Sequence, residues 1–458
     1  MEKKRSSFTG KLGFVLAAAG SAVGLGNLWR FPYLVAQHGG GIFLLVYLIL
    51  SVTFGFTLMI AEVAIGRKTG LSAIGAFRKI SQKWSFVGYL TAIVPALILP
   101  YYSVIGGWVI KYLTVFAAGG AEAAADDGYF ESFIGSAGQS LLFFAIFIAI
   151  TAVIVLFGVE KGVEKVSKIM MPVLAVLSVG IAAFVCISAA AQGKWDGLVY
   201  YLKPDFSNFS VMTVVAAMGQ LFYSMSLAMG IMITYGSYMK KDVSLESSAH
   251  QIEFFDMGIA FFAGLMIVPA VVGYSGIEGL GKGPGLMFVT LPKVFNEMGP
   301  ALGNVIGAVF FLLVFFAALT SSISLMETVV SIVRDTFHIE RKVTCLIVLG
   351  GAFALGIPSA LGFGVWSDFT LLGMDILSFF DFLTNSIIMP IVAILICLVV
   401  CYVMKPKTII EEVSLSGGFK FRKLFRGMIY VAPVFLLVIL VFAIFEAFGI
   451  TFGGVLKF

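Results

Sequence analysis

The sequence predicts an all-α integral membrane protein, and three observations predict it. First, 60% of the 458 residues are hydrophobic and only 12% are charged, where soluble domains carry about 25% charged residues. Mean hydropathy is +1.04. Second, apolar runs of the roughly 20 residues a bilayer crossing needs recur along the whole chain, so residues 1–458 read as a single membrane domain. Third, the bases gather in alternate loops. About 23 of the 30 Lys and Arg fall on one side, as cytoplasmic loops require.

Eleven spans follow, near 12–36, 42–66, 85–115, 139–157, 166–191, 211–238, 252–276, 301–336, 343–361, 369–402 and 425–449. The charge bias puts the amino terminus in the cytoplasm of a plasma (inner) membrane protein and, the count being odd, the carboxyl terminus outside. The loop at 119–136, with Glu122, Asp126, Asp127 and Glu131, suits the outer face. Lys3, Lys4 and Arg5 before an apolar run mimic a signal peptide, but the run continues into a glycine-rich segment and Arg30-Phe31-Pro32, so no cleavage is expected. The net charge of +5 comes from these loop bases and points to topology, not to a nucleic-acid partner. Cys186, Cys345, Cys397 and Cys401 lie in apolar stretches without metal or disulfide spacing.

The first span is odd at its centre. Gly20-Ser21-Ala22-Val23-Gly24-Leu25-Gly26-Asn27 interrupts the apolar run, and Arg30 follows. Non-helical backbone survives at membrane depth only where protein or a solvated cavity satisfies it, and an intramembrane charge is functional by default. The sixth span has a second interruption, Gly219 to Gly230, with Gln220, Tyr223, Ser224 and Ser226. Paired interrupted helices in matching halves point to the binding site of a secondary transporter. Residues 12–191 and 211–402 then read as two five-helix repeats of opposite topology, with 425–449 as an eleventh helix.

The run Gly24-Leu25-Gly26-Asn27-Leu28-Trp29-Arg30-Phe31-Pro32-Tyr33 resembles the first-helix motif of the neurotransmitter:sodium symporters. The resemblance continues through Gly39-Gly40-Gly41, Glu62 to Arg67, Tyr101-Tyr102, Ile233-Thr234-Tyr235, Ala317 to Ser322 and Asp381-Phe382. Eleven spans and short loops are similar to the bacterial amino-acid transporters. The resemblance implies the leucine-transporter (LeuT) fold, a 5+5 inverted repeat plus an eleventh helix, with helices 1 and 6 unwound at their centres. It implies two Na⁺ ions. One would be held by the carbonyls of Gly20, Val23 and Ala317 with the hydroxyls of Thr320 and Ser321, the other by Ala22, Asn27, Ser224 and Asp256. At position 256 many members carry asparagine. Two Na⁺ and a zwitterion leave excess positive charge in a low-dielectric cavity; Asp256 is expected to offset it, so no chloride is expected.

The resemblance also implies an amino-acid substrate. Gly24 stands where monoamine carriers hold an aspartate, so the ligand should bring its own carboxylate, meeting the Gly26 amide and the Tyr102 hydroxyl. Its amine would meet carbonyls near Ala22 and Tyr223 and the Ser226 hydroxyl. Ile98, Tyr223, Met229, Ser321 and Leu325 would line the side-chain subsite. Met229 favours a hydrophobic or aromatic side chain, whereas Ala228, glycine in a relative, argues for narrower space. Arg30 and Asp381, with Tyr102 and Tyr223 as lid, are implied as an outer gate. Arg5, Asp335, Ser237 and Tyr238 form an inner one, where Phe8 replaces a tryptophan. Glu62 and Gln220 are expected to bond to the first helix or near the anion position.

The chain has no HExxH and no phosphate loop, since Gly283 follows Lys282 in the run from Gly276, so an enzyme or an ATP-driven pump is not expected. A sodium-dependent amino-acid sensor or a channel-like protein on the same fold is the alternative to a symporter. The lipid bilayer is the expected surrounding partner; monomer or homodimer is undetermined from sequence.

Overall fold

The computed structural model describes residues 7–276, 279–280 and 283–447. Among the described residues, nine helices are long and apolar enough to cross a membrane: Gly41–Thr69, Gln82–Ala117, Ala137–Leu156, Val159–Ala191, Leu245–Ser275, Pro300–Phe337, Arg341–Gly362, Ile376–Met404 and Arg422–Phe445. A further crossing is a bent pair, Lys11–Ala22 and Gly26–Gln37, set at 47°. The shorter apolar helix Val211–Ser224 and, after a turn, Ile231–Ser237 form the remaining segment. Together they account for each predicted span. Arg5 lies outside the described residues.

Most predicted ends agree within a few residues; three starts do not. The fifth span begins at Val159, as a widened turn that leads into the regular helix from Lys165, and local capping explains the other two. The seventh span starts at Leu245, because the Ser244 side chain accepts from the Ser247 amide and Glu246 sits in the first turn. The tenth starts at Ile376, where Asp375 accepts from the Ser378 amide at 2.9 Å. Just before it, Leu371 and Met374 close a tight turn.

Chemistry is concentrated at the two interrupted spans because the packing encloses them. The amino-terminal piece of the first span lies against the fifth, seventh and eighth, and the long third and eighth spans run along one another beside it. The second span meets the last piece of the sixth at backbone contact. A Cβ on Gly66 would stand 1.9 Å from the Ile233 carbonyl oxygen, and one on Gly236 would stand 2.3 Å from that of Val63. Small residues that let backbones touch are how helices associate where lipid removes the hydrophobic driving force.

Candidate functional site

The first helix stops at Ala22 because Val23 turns extended, at φ −76° and ψ 102°, although its amide still donates to the Ala19 carbonyl at 2.7 Å. The chain resumes as a widened turn over Gly26–Arg30, a distortion common at functional sites. The turn of carbonyls before the stop is met from outside. Ser321 Oγ lies 3.3 Å from the Gly20 oxygen, 3.1 Å from that of Ser21 and 3.3 Å from that of Val23. Thr320 Oγ1 is 2.9 Å from the Phe316 oxygen and 3.2 Å from that of Ala317. The hydroxyl and carbonyl oxygens expected at one sodium position therefore come from the first and eighth spans at their contact. Gly24 and Gly26 are glycine because neighbours occupy their Cβ positions. Ser321 Oγ would be 2.6 Å from a Cβ at 24, and the Tyr223 ring 2.6 Å from one at 26.

The sixth span breaks differently. Ser226, Ala228 and Gly230 have φ of 53°, 60° and 71°. The left-handed conformation costs a non-glycine residue about 1–2 kcal/mol, so other contacts must hold it. Ser226 Oγ donates to the Ser21 carbonyl at 3.0 Å, tying one break to the other. The Ala228 amide donates to Glu62 Oε1 at 2.6 Å. Of the two places expected for these residues, the first helix or the anion position, Gln220 Nε2 reaches the first helix, at the Gly26 carbonyl, 2.9 Å away, whereas Glu62 bonds to the sixth span.

Between the breaks lies a cavity. Ala22, Gly24, Gly26, Ile98, Tyr102, Tyr223, Ser226, Met229, Ser321 and Leu325, all expected to meet the substrate, line it together with Ser21, Leu25, Ser224 and Ile231. Ala228 does not line it, so its methyl group does not narrow the space. The Tyr102 hydroxyl accepts from the Leu25 amide at 3.2 Å.

Beside the cavity Asp256 is completely buried. Ser224 Oγ donates to its Oδ1 at 2.5 Å and Asn27 Nδ2 to the same oxygen at 2.8 Å, while the Tyr47 hydroxyl donates to Oδ2 at 2.9 Å. Asn27 Oδ1 accepts from the Gly24 amide at 3.2 Å. A buried carboxylate needs this density of donors. Asn27, Ser224 and Asp256 are therefore brought together as expected. Tyr47 was missed, because a tyrosine within an apolar helix carries no local signal of what it faces.

Leu25 and Tyr223 also line a second cavity of about 800 Å³, with Arg30 and Asp381 on its wall. These two residues form no ion pair in the described structure. Asp381 Oδ1 accepts from Asn385 at 2.6 Å and from the Tyr101 hydroxyl at 3.3 Å, and the Arg30 guanidinium lies over the Tyr223 ring at 5.5 Å. At the amino-terminal end the Phe8 ring is buried against Phe14, Tyr235 and Tyr238, with centroids 5.5 to 6.1 Å apart. Of the expected inner residues, Asp335 Oδ2 accepts from Ser72, Tyr238 donates to Glu327 at 2.9 Å, and the Ser237 hydroxyl donates to its own helix at Thr234.

Fold and chamber define a multi-pass membrane transporter with the LeuT fold. The chain shares that fold with MhsT, solved in complex with L-phenylalanine: 36% identity, TM-score 0.87, covering 96% of this chain and all of that one. The sodium:neurotransmitter symporter family model matches residues 5–118 and 129–454, and the chain belongs to that family. A sodium-dependent transporter of Bacillus subtilis is 32% identical over 446 residues, covering 96% of this chain and 97% of its own. One of Haemophilus influenzae is 31% identical over 460 residues, covering 97% and 99%. One of Methanocaldococcus jannaschii is 33% identical over 438 residues, covering 92% and 84%. The chain is a sodium-dependent transporter and not an enzyme.

Proposed function

We propose that the chain is a sodium-coupled symporter of a neutral amino acid with a hydrophobic or aromatic side chain, working by alternating access without chloride. The observation that carries this reading is the single cavity lined by all ten expected substrate residues. Its lining includes the apolar side chains of Ile98, Met229, Ile231 and Leu325, and the similar transporter MhsT was solved with L-phenylalanine. The opened helix ends offer amides to a carboxylate and carbonyls to an ammonium group. One sodium ion is assigned to Gly20, Val23, Ala317, Thr320 and Ser321, in keeping with the hydroxyl contacts between the first and eighth spans. The other is assigned to Ala22, Asn27, Ser224 and Asp256. Sodium supplies positive charge beside the substrate carboxylate, and Asp256 balances it in place of a halide.

In this reading Arg30 and Asp381, both on the wall of the second cavity, approach when the outer side closes; closing it is tolerable only if each charge finds the other. Residues 12–191 and 211–402 form the inverted halves, the amino terminus is cytoplasmic and the carboxyl terminus external. Proteoliposomes test the reading. Saturable uptake of labelled phenylalanine or leucine, driven by an inward sodium gradient and unchanged when gluconate replaces chloride, is expected. A non-saturating passive current would make the protein channel-like, and sodium-dependent binding without uptake would make it a sensor.

A further inference from the structure

The stretch of chain that leads into the first span is fastened to three other segments by four attachments. The Phe8 amide donates to the Tyr238 carbonyl at 3.1 Å, Lys240 Nζ to the Thr9 carbonyl at 3.0 Å, and Lys11 Nζ to Ser247 Oγ at 2.7 Å. The fourth attachment is the strongest in kind. Glu164, at the start of the fifth span and 1% exposed, takes both donors of Thr9: its amide at 2.9 Å on Oε2, and its hydroxyl on Oε1. Lys168, one turn on, lies 2.6 Å from the same carboxylate and 3.3 Å from Thr9 Oγ1.

The sequence of the first span makes room for this contact. A Cβ on Gly13 would stand 2.2 Å from Glu164 Oε1, so any side chain there expels the carboxylate. The helix that begins at Lys11 has no side-chain cap of its own at Gly10. Unpaired amides and a partial positive charge remain at such a helix start, and here a carboxylate from another span lies beside it, accepting from the Thr9 amide just before the cap. The fifth span in turn begins irregularly. Gly158 has φ 86° and Val159–Glu164 is a widened turn, a geometry with less regular hydrogen bonding than the helix it leads into.

We propose that Glu164 is a positioning residue for transport: its carboxylate clasps the start of the first span to the fifth and holds the chamber shut on the amino-terminal side. The gating part rests on the alternating-access reading above; the clasp itself does not. Losing the carboxylate leaves the Thr9 amide and hydroxyl without it, and adding a methyl group at position 13 pushes the carboxylate off. Both changes therefore release the same contact from opposite sides.

Hydrogen–deuterium exchange of the full chain in nanodiscs, in sodium buffer without substrate, tests the clasp whether or not the protein carries an amino acid. Glu164→Ala and Gly13→Ala are each expected to speed exchange in 7–22 and 158–172 by at least about tenfold, the worth of a hydrogen bond to a charged group. Segment 341–362 and the thermal midpoint should stay unchanged. Thr9→Ser keeps both donors and should exchange like the parent. Should Glu164→Ala not fold, Gly13→Ala alone decides. Exchange within twofold of the parent, or a rise shared by 341–362 with a lowered midpoint, would overturn the proposal.

Discussion

The first span opens with its backbone at ordinary dihedrals, whereas the sixth opens through three left-handed residues, two of them not glycine. In the first, the glycines are there because other side chains stand where their Cβ atoms would be: Ser321 at Gly24 and Tyr223 at Gly26. In the sixth, strain falls on Ser226 and Ala228 and is held by partners on other elements, Ser21 and Glu62. Glycine in a broken membrane helix thus marks close approach at one site and left-handed backbone, at Gly230, at the other. One break is shaped by its surroundings; the other is bent internally and pinned.

The comparison can be tested from the largest effect downward. Asp256 anchors both breaks, through Asn27 and Ser224. Asp256→Asn should lower sodium-driven uptake about a hundredfold in chloride-free medium, given two or three lost charge-assisted bonds, and chloride should restore part of it. Full activity in gluconate would show that the carboxylate balances no charge. Next, Gly24→Ala forces a methyl group to within 2.6 Å of Ser321 Oγ. Substrate binding should weaken at least tenfold by scintillation proximity, whereas Gly258→Ala, with nothing within 4 Å, should leave it unchanged.

Smaller effects separate the pinned break from the shaped one. Glu62→Ala removes the acceptor of the Ala228 amide and should destabilise the protein by about 1–3 kcal/mol, read as a lower thermal midpoint in detergent. Ala228→Gly should do the opposite. Relief of about 1–2 kcal/mol of left-handed strain, less the roughly 0.5–1 kcal/mol of extra chain entropy that glycine loses on folding, predicts a midpoint equal to or slightly above that of the parent. A clear loss of stability would mean that position 228 carries no strain.

Much of this was legible in the sequence because membrane crossings announce themselves by composition. Every described span lies where an apolar run stood. The two broken helices were visible because Asn27, Gln220 and Ser224 interrupt such runs, and a bilayer leaves polar interruptions few other uses. The bends themselves were less legible. Ala228 reads as an ordinary helix former, so neither its left-handed backbone nor its dependence on Glu62 could be inferred. Tyr47 was hidden for a similar reason: its role lies in the carboxylate it faces from another helix, and residues more than two hundred positions apart carry no local signal. The starts of the seventh and tenth spans are not legible in hydropathy, which locates apolar residues, whereas Ser244 and Asp375 set where the helices begin.

The reciprocal embedding of Gly66 against Ile233 and of Gly236 against Val63 restricts the choreography of any cycle this protein runs. A rotation that turned a side chain into this contact would drive it against main chain, so the second span and the carboxyl-terminal half of the sixth are expected to travel as one piece. Flexing is left to Met225 through Gly230, which links that piece to Val211–Ser224.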